Sequence, residues 1–130
     1  AGVPTEKRLA ALRARLAEIL DEYRPEIAAV ERLFFNVNVK TAMAVGQASG
    51  VALATAAELG VPVVNYTPLE VKQSVAGFGA ATKNQVGAMV GALLGLADPP
   101  KPPDAADACA LAICHINRSG LERAVEAAAR

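Results

Sequence analysis

Two short apolar runs, at residues 27–31 and 62–66, flank one long helix-forming stretch, and this order restricts the fold more than any other feature of the chain. The first run, Ile27-Ala28-Ala29-Val30, ends on an acid, Glu31; the second leads through Val63 and Val64 to Tyr66. Residues 39–59 between them read as a long helix, with Asn38 placed to cap its start and Gly60 suited to the left-handed position beyond its end. Strands on either side of a helix pair in parallel through a right-handed crossover. Parallel sheets are normally buried on both faces, and two short strands cannot cover the apolar faces of several amphipathic helices. The sheet is therefore expected to be incomplete, with its missing strands before Ala1.

The remaining pattern is helical. Leu9, Leu12, Leu16, Ile19, Leu20 and Tyr23 recur at helical spacing ahead of Pro25. Thr67-Pro68-Leu69-Glu70 supplies a capping threonine, a proline at the first helical position and a glutamate three residues after the cap. Thr82 and Gln85 form a second capping box, followed by the apolar stripe Val86, Met89, Val90, Leu93 and Leu94. Pro99, Pro100, Pro102 and Pro103 stiffen a linker into a last helix predicted over 104–117, with 118–130 a short helix or frayed tail.

Composition excludes little. With 130 residues and 53% hydrophobic content the chain is long and apolar enough for one core, so composition argues against disorder. Thirteen basic and thirteen acidic residues leave no net charge, so any basic surface must be local. Cys109 and Cys114 point to different faces of one helix and read as small buried hydrophobes of a cytosolic protein. No stretch is apolar enough for a membrane span.

The acids carry the chemistry. Open α/β sheets place ligands at the carboxyl ends of their strands, where Glu31 stands, and an unpaired buried charge there costs about 3–5 kcal/mol. Asp104 and Asp107 share a face of the last helix, with roughly 5–6 Å between their Cβ atoms. Taken alone, two acids in a first turn are explained by the helix dipole, worth about 0.3–1 kcal/mol. Combined with Glu31, they suggest an oxygen-ligand site for Mg²⁺ or Mn²⁺. Phe34 and Phe35 follow Glu31 in a polar loop, where an aromatic can stack on an unpaired base. Lys72 and Lys83 flank Gly77-Phe78-Gly79, a loop that lysines at both ends could use to clasp phosphates. His115, the only histidine, reads as a solvated residue near a helix end, and the small-residue face with Gly46 and Gly50 as a helix-packing surface.

Val30-Glu31-Arg32-Leu33-Phe34, Val45-Gly-Gln-Ala-Ser-Gly50, Glu70-Val-Lys72-Gln73, Gly77-Phe-Gly79 and Asp104-Ala-Ala-Asp107-Ala together resemble the RuvC Holliday junction resolvases, in the family's order and spacing. The resemblance implies an α/β, RNase H-like fold, a mixed sheet flanked by helices, over residues 1–117, with 118–130 as a tail. It implies a homodimer that nicks two strands of a four-way DNA junction symmetrically, using two Mg²⁺ ions per active site with Mn²⁺ as a substitute, alongside the branch-migration proteins RuvA and RuvB. Glu31, Asp104 and Asp107 match the family's metal-binding acids, Phe34 an aromatic at the junction centre, and Lys72 and Lys83 its DNA-contacting lysines. The alternatives are another RNase H-like nuclease acting on RNA or non-junction DNA, and a catalytically silent DNA-binding or scaffold module.

The family's first acid lies in an Asp-Pro-Gly turn that residues 1–130 do not contain. The 130-residue polypeptide on its own is therefore expected not to nick junctions, since one metal position would lack a ligand. A Mg²⁺-dependent nicking assay beside a full-length relative checks this, and comparable turnover would contradict it.

Overall fold

A computed structural model of the protein describes residues 2–32 and 39–129, so Phe34, Phe35 and the expected cap at Asn38 lie outside the described residues. The chain forms two compact units, Ala1–Val64 and Asn65–Arg130.

The first unit holds α1 (Thr5–Tyr23), β1 (Ala28–Glu31), α2 (Val39–Glu58) and the start of β2 (Val63–Tyr66). α1 ends where Arg24 turns left-handed, at φ 46°, and donates its N–H to the Leu20 carbonyl at 2.9 Å. Proline at 25 then disfavours any further helix. Leu9, Leu12, Leu16, Ile19 and Leu20 are half-buried, no residue of α1 is fully buried, and Tyr23 is exposed. α1 packs along α2, and the Arg13 guanidinium pairs with the Glu58 carboxylate at the end of α2. Thr55 and Ala56 are the buried positions of α2, the Thr55 hydroxyl donating to the Val51 carbonyl at 2.7 Å. Gly60, at φ 73°, turns the chain out of α2, and the Ala28 N–H donates to the Pro62 carbonyl at 2.8 Å as β1 and β2 join in a two-stranded parallel sheet.

The burial expected for Glu31 is not found. β1 is half-buried and Glu31 is exposed, so Glu31 bears no penalty of the kind a buried charge would. Two strands and the helices of this unit leave the end of β1 open to water.

The second unit continues from Tyr66 through α3 (Pro68–Ala76), α4 (Lys83–Leu93) and α5 (Pro103–Ala128), each helix packed on the other two. Both capping boxes form as the sequence predicts. The Thr67 hydroxyl accepts from the Glu70 N–H and the Glu70 carboxylate from the Thr67 N–H, at 3.1 and 3.0 Å. Thr82 and Gln85 repeat the exchange at 3.2 and 2.8 Å. Val75, Val90 and Ala110 form the buried cluster, with Val71, Val86, Cys109 and Ile113 packed around it.

Two features differ from the sequence pattern. On α4 the buried positions are Gly87, Val90 and Gly91, whereas Met89, Leu93 and Leu94 are exposed. The backbone of Asp98 and Pro99 lies 3.4–3.5 Å from where a Gly91 Cβ would stand, and the Pro99 side chain 3.8 Å from where a Gly87 Cβ would, so part of the helix's covered face is a small-residue face. Further on, residues 118–128 continue α5 without a break, making one rod of 26 residues, roughly 39 Å long. Among the described residues, no helix is long and apolar enough to cross a membrane.

Candidate functional site

The two acids of the second unit sit at the start of α5. Pro102 caps that helix with no side-chain hydrogen bond, so neither aspartate acts as its cap; Asp104 is in the first turn and exposed. Asp107 lies one turn further, its side chain 48% exposed. The Thr82 capping box starts α4 beside it and makes Lys83 the first helical residue, with Nζ 3.1 Å from Asp107 Oδ2. A cation from the start of one helix thus meets an acid from the start of the next. Nothing local signals this pair, because its partners are 24 positions apart in the chain.

A groove of about 420 Å³ opens beside the pair. Its lining includes Lys83, Asn84 and Asp107 on the helix side, and Pro99, Pro100 and Lys101 from the linker. Gly87 and Gly91 let the linker lie close to α4, and their four-residue spacing is the readable signal of that approach.

The other expected site residues are distributed as follows. Lys72 is half-buried on α3, which ends at Gly77, φ 87°. In the loop that follows, Phe78 is 47% exposed, and a side chain on Gly79 would collide with Leu69 Cδ1. Glu31 belongs to the first unit, at the exposed end of β1, while Asp104 and Asp107 belong to the second. Within neither unit, among the described residues, do three or more His, Cys, Asp or Glu side chains gather into a metal cage. Glu70 is held by its capping box and by the Arg118 guanidinium at 3.0 Å.

The family model described as "Crossover junction endodeoxyribonuclease RuvC" matches residues 1–115. The chain is 58% identical over 115 residues to the protein of that description from Moorella thermoacetica, covering 88% of this chain and 69% of that protein. To the Pelotomaculum thermopropionicum protein it is 54% identical over 122 residues, covering 94% and 74%. Among solved structures, Thermus thermophilus RuvC aligns with a TM-score of 0.85 at 42% identity, covering 92% of this chain and 72% of that one. The same protein in complex with a Holliday junction substrate aligns at 0.81 and 39%, with the same coverage.

His115 departs from its expected place. Because α5 runs on to Ala128, it stands mid-helix and half-buried, with Nδ1 2.7 Å from the hydroxyl of Tyr66, the last residue of β2. The two rings are tilted at 58° with centroids 5.9 Å apart. Burial raises the Tyr66 hydroxyl above its ordinary pKa of 10.0, helped by nearby Cys114 and Glu122, so it stays protonated. Burial likewise raises the Cys114 thiol beside it. The pair fastens the end of β2 to the middle of α5. Tyr66→Phe should lower unfolding stability by about 0.5–1.5 kcal/mol, the net worth of one such bond. Urea unfolding followed by circular dichroism checks this, and an unchanged midpoint would show the bond to be idle.

Proposed function

The chain belongs to the RuvC family of crossover junction endodeoxyribonucleases, with the family's RNase H-like fold, and from that premise we propose how its own residues divide the work of resolving a Holliday junction. The observation that carries the reading is the family match over residues 1–115, which takes in each of the acids and lysines concerned. The ion pair between Lys83 and Asp107 supports it, because it places a phosphate-attracting cation against one of the acids.

The donor set suits the metal the family uses. Asp104 and Asp107 offer carboxylate oxygens one turn apart, exposed or half-exposed, and hard divalent ions such as Mg²⁺ or Mn²⁺ prefer oxygen ligands. Glu31, Asp104 and Asp107 are the residues proposed to hold two such ions. Bound there, they would supply Lewis-acid activation of water and stabilisation of the leaving oxygen. Lys83 would draw the phosphodiester toward the start of α5, with Lys72 holding backbone further along α3. Phe34 would stack on an unpaired base at the junction centre, worth about 1–3 kcal/mol. Selectivity would come from junction shape more than from base contacts.

Symmetric nicking requires two sites, so a two-fold homodimer is proposed, with RuvA and RuvB as its partners on the junction. Val39, Met43, Gly46, Gly50 and Leu53 fall at alternating four- and three-residue spacing along α2, and Val39 and Met43 are 82% and 63% exposed. This seam of apolar and small residues is the proposed interface.

Two tests follow. The full protein should nick four-way junctions in Mg²⁺ and leave RNA–DNA hybrids and plain duplexes largely intact; hybrid cleavage instead would favour the broader nuclease reading, and no cleavage the scaffold. In that assay Asp107→Asn should abolish nicking while junction binding survives, Phe34→Ala should impair nicking more than binding, and Lys83→Ala should weaken binding and lower the salt slope by about 0.9. For assembly, Gly50→Leu should shift the sedimenting species toward monomer, and an unchanged dimer mass and stability would remove α2 from the interface.

A further inference from the structure

Lys101 has no part in the scheme above, yet it lines the same groove as Lys83 and Asp107. It lies between two proline pairs, Pro99-Pro100 and Pro102-Pro103, so its backbone is held on the wall opposite α4 by residues whose φ is fixed. It is exposed and makes no ion pair among the described residues. Of the groove's three charged groups, Lys83 and Asp107 are paired with each other, which leaves Lys101 as an uncompensated positive charge. A single phosphodiester, with one negative charge, would balance it. The wall on Lys101's side is apolar, formed by Pro99, Pro100 and Pro103, and Asn84 adds an amide opposite. That combination suits a nucleotide: sugar or base against the prolines, phosphate between the two ammonium groups. The volume, about 420 Å³, is within the usual range of roughly 300–1,000 Å³ for ligand sites.

We infer that the groove between α4 and the proline linker is a subsite for the substrate nucleotide next to the nicked phosphate, with Lys101 as its positioning residue. The inference rests on the resolvase reading, because Asp107 ties the groove to the place of cleavage. Lys101 does not touch the reacting atoms. It fixes how the strand enters.

The test uses the full protein and four-way junction DNA. Binding is measured at several salt concentrations for the wild type, Lys101→Gln, Lys101→Arg and, as a surface control on α1, Lys7→Gln. Lys101→Gln should weaken binding about threefold to tenfold and lower the slope of log affinity on log salt by about 0.9, the share of one phosphate contact. Lys101→Arg should restore the slope, and Lys7→Gln should leave it unchanged. A photo-crosslinking residue at position 101 should attach to the nicked strand beside the nick. An unchanged slope for Lys101→Gln, an equal loss for Lys7→Gln, or crosslinks confined to a remote arm would overturn the subsite while leaving the resolvase reading intact. A wild type that neither prefers nor nicks junctions would instead remove the premise.

Discussion

Ala106, Ala110 and Cys114 recur every four residues along α5 and are its buried positions. Three small side chains in a row let α3 and α4 come close, and the second unit is organised by that approach. Val75 from α3 and Val90 from α4 meet Ala110 at the centre. Once the helices are at this distance, polar contacts follow along the length of α5: Lys83 to Asp107 near its start, Tyr66 to His115 at its middle, Glu70 to Arg118 beyond. Enlarging Ala110, 1% exposed, would push against both neighbours at once. The position of the acids therefore depends on packing that lies one or more turns away from them.

Energetics argue that the start of α5 is arranged for more than stability. An exposed ion pair such as Lys83–Asp107 is worth about 0–1 kcal/mol, and acids in a first turn about 0.3–1 kcal/mol. Neither requires two aspartates one turn apart with no capping hydrogen bond from either, beside a groove and a second lysine. Thr67 and Thr82 show how this chain caps a helix when capping is the need: a hydroxyl and a reciprocal glutamate or glutamine. α5 instead starts with prolines and leaves its acids facing outward.

Much of this was legible in the sequence where the governing interaction is local. Capping boxes operate within four residues, so Thr67–Glu70 and Thr82–Gln85 could be read directly, as could the ends of α1 at Pro25 and of α2 at Gly60. Asp104 and Asp107 were legible as a pair because i and i+3 share a face. What stayed hidden depends on distant partners. The stripe on α4 suggested Met89 and Leu93 as core, but the linker covers the glycine face instead. His115 looked solvated because the helix was expected to end at 117; its partner, Tyr66, is 49 positions away. Arg118 fell in the supposed tail, yet its guanidinium pairs with Glu70, 48 positions away. Glu31 was expected to suffer burial but is exposed, because a local reading of an apolar run could not tell a half-buried strand from a buried one.

The weakness of the Lys83–Asp107 pair suits the role proposed for it. A buried pair would be costly to break, since separating it leaves an uncompensated charge. Here the lysine side chain is 73% exposed and the aspartate 48%, so water already screens both and either can change partner at little cost. In that proposed role a phosphate in the groove would compete for the lysine, and a divalent cation, when bound, would compete for the carboxylate. Each exchange would make the other easier, because the ion left behind would have lost its counter-charge. Phosphate and metal would then be favoured together over either alone, so that ion and substrate gather at the same carboxylate. That coupling needs no moving lid. It follows from placing one solvated cation against one solvated acid at the facing starts of two helices.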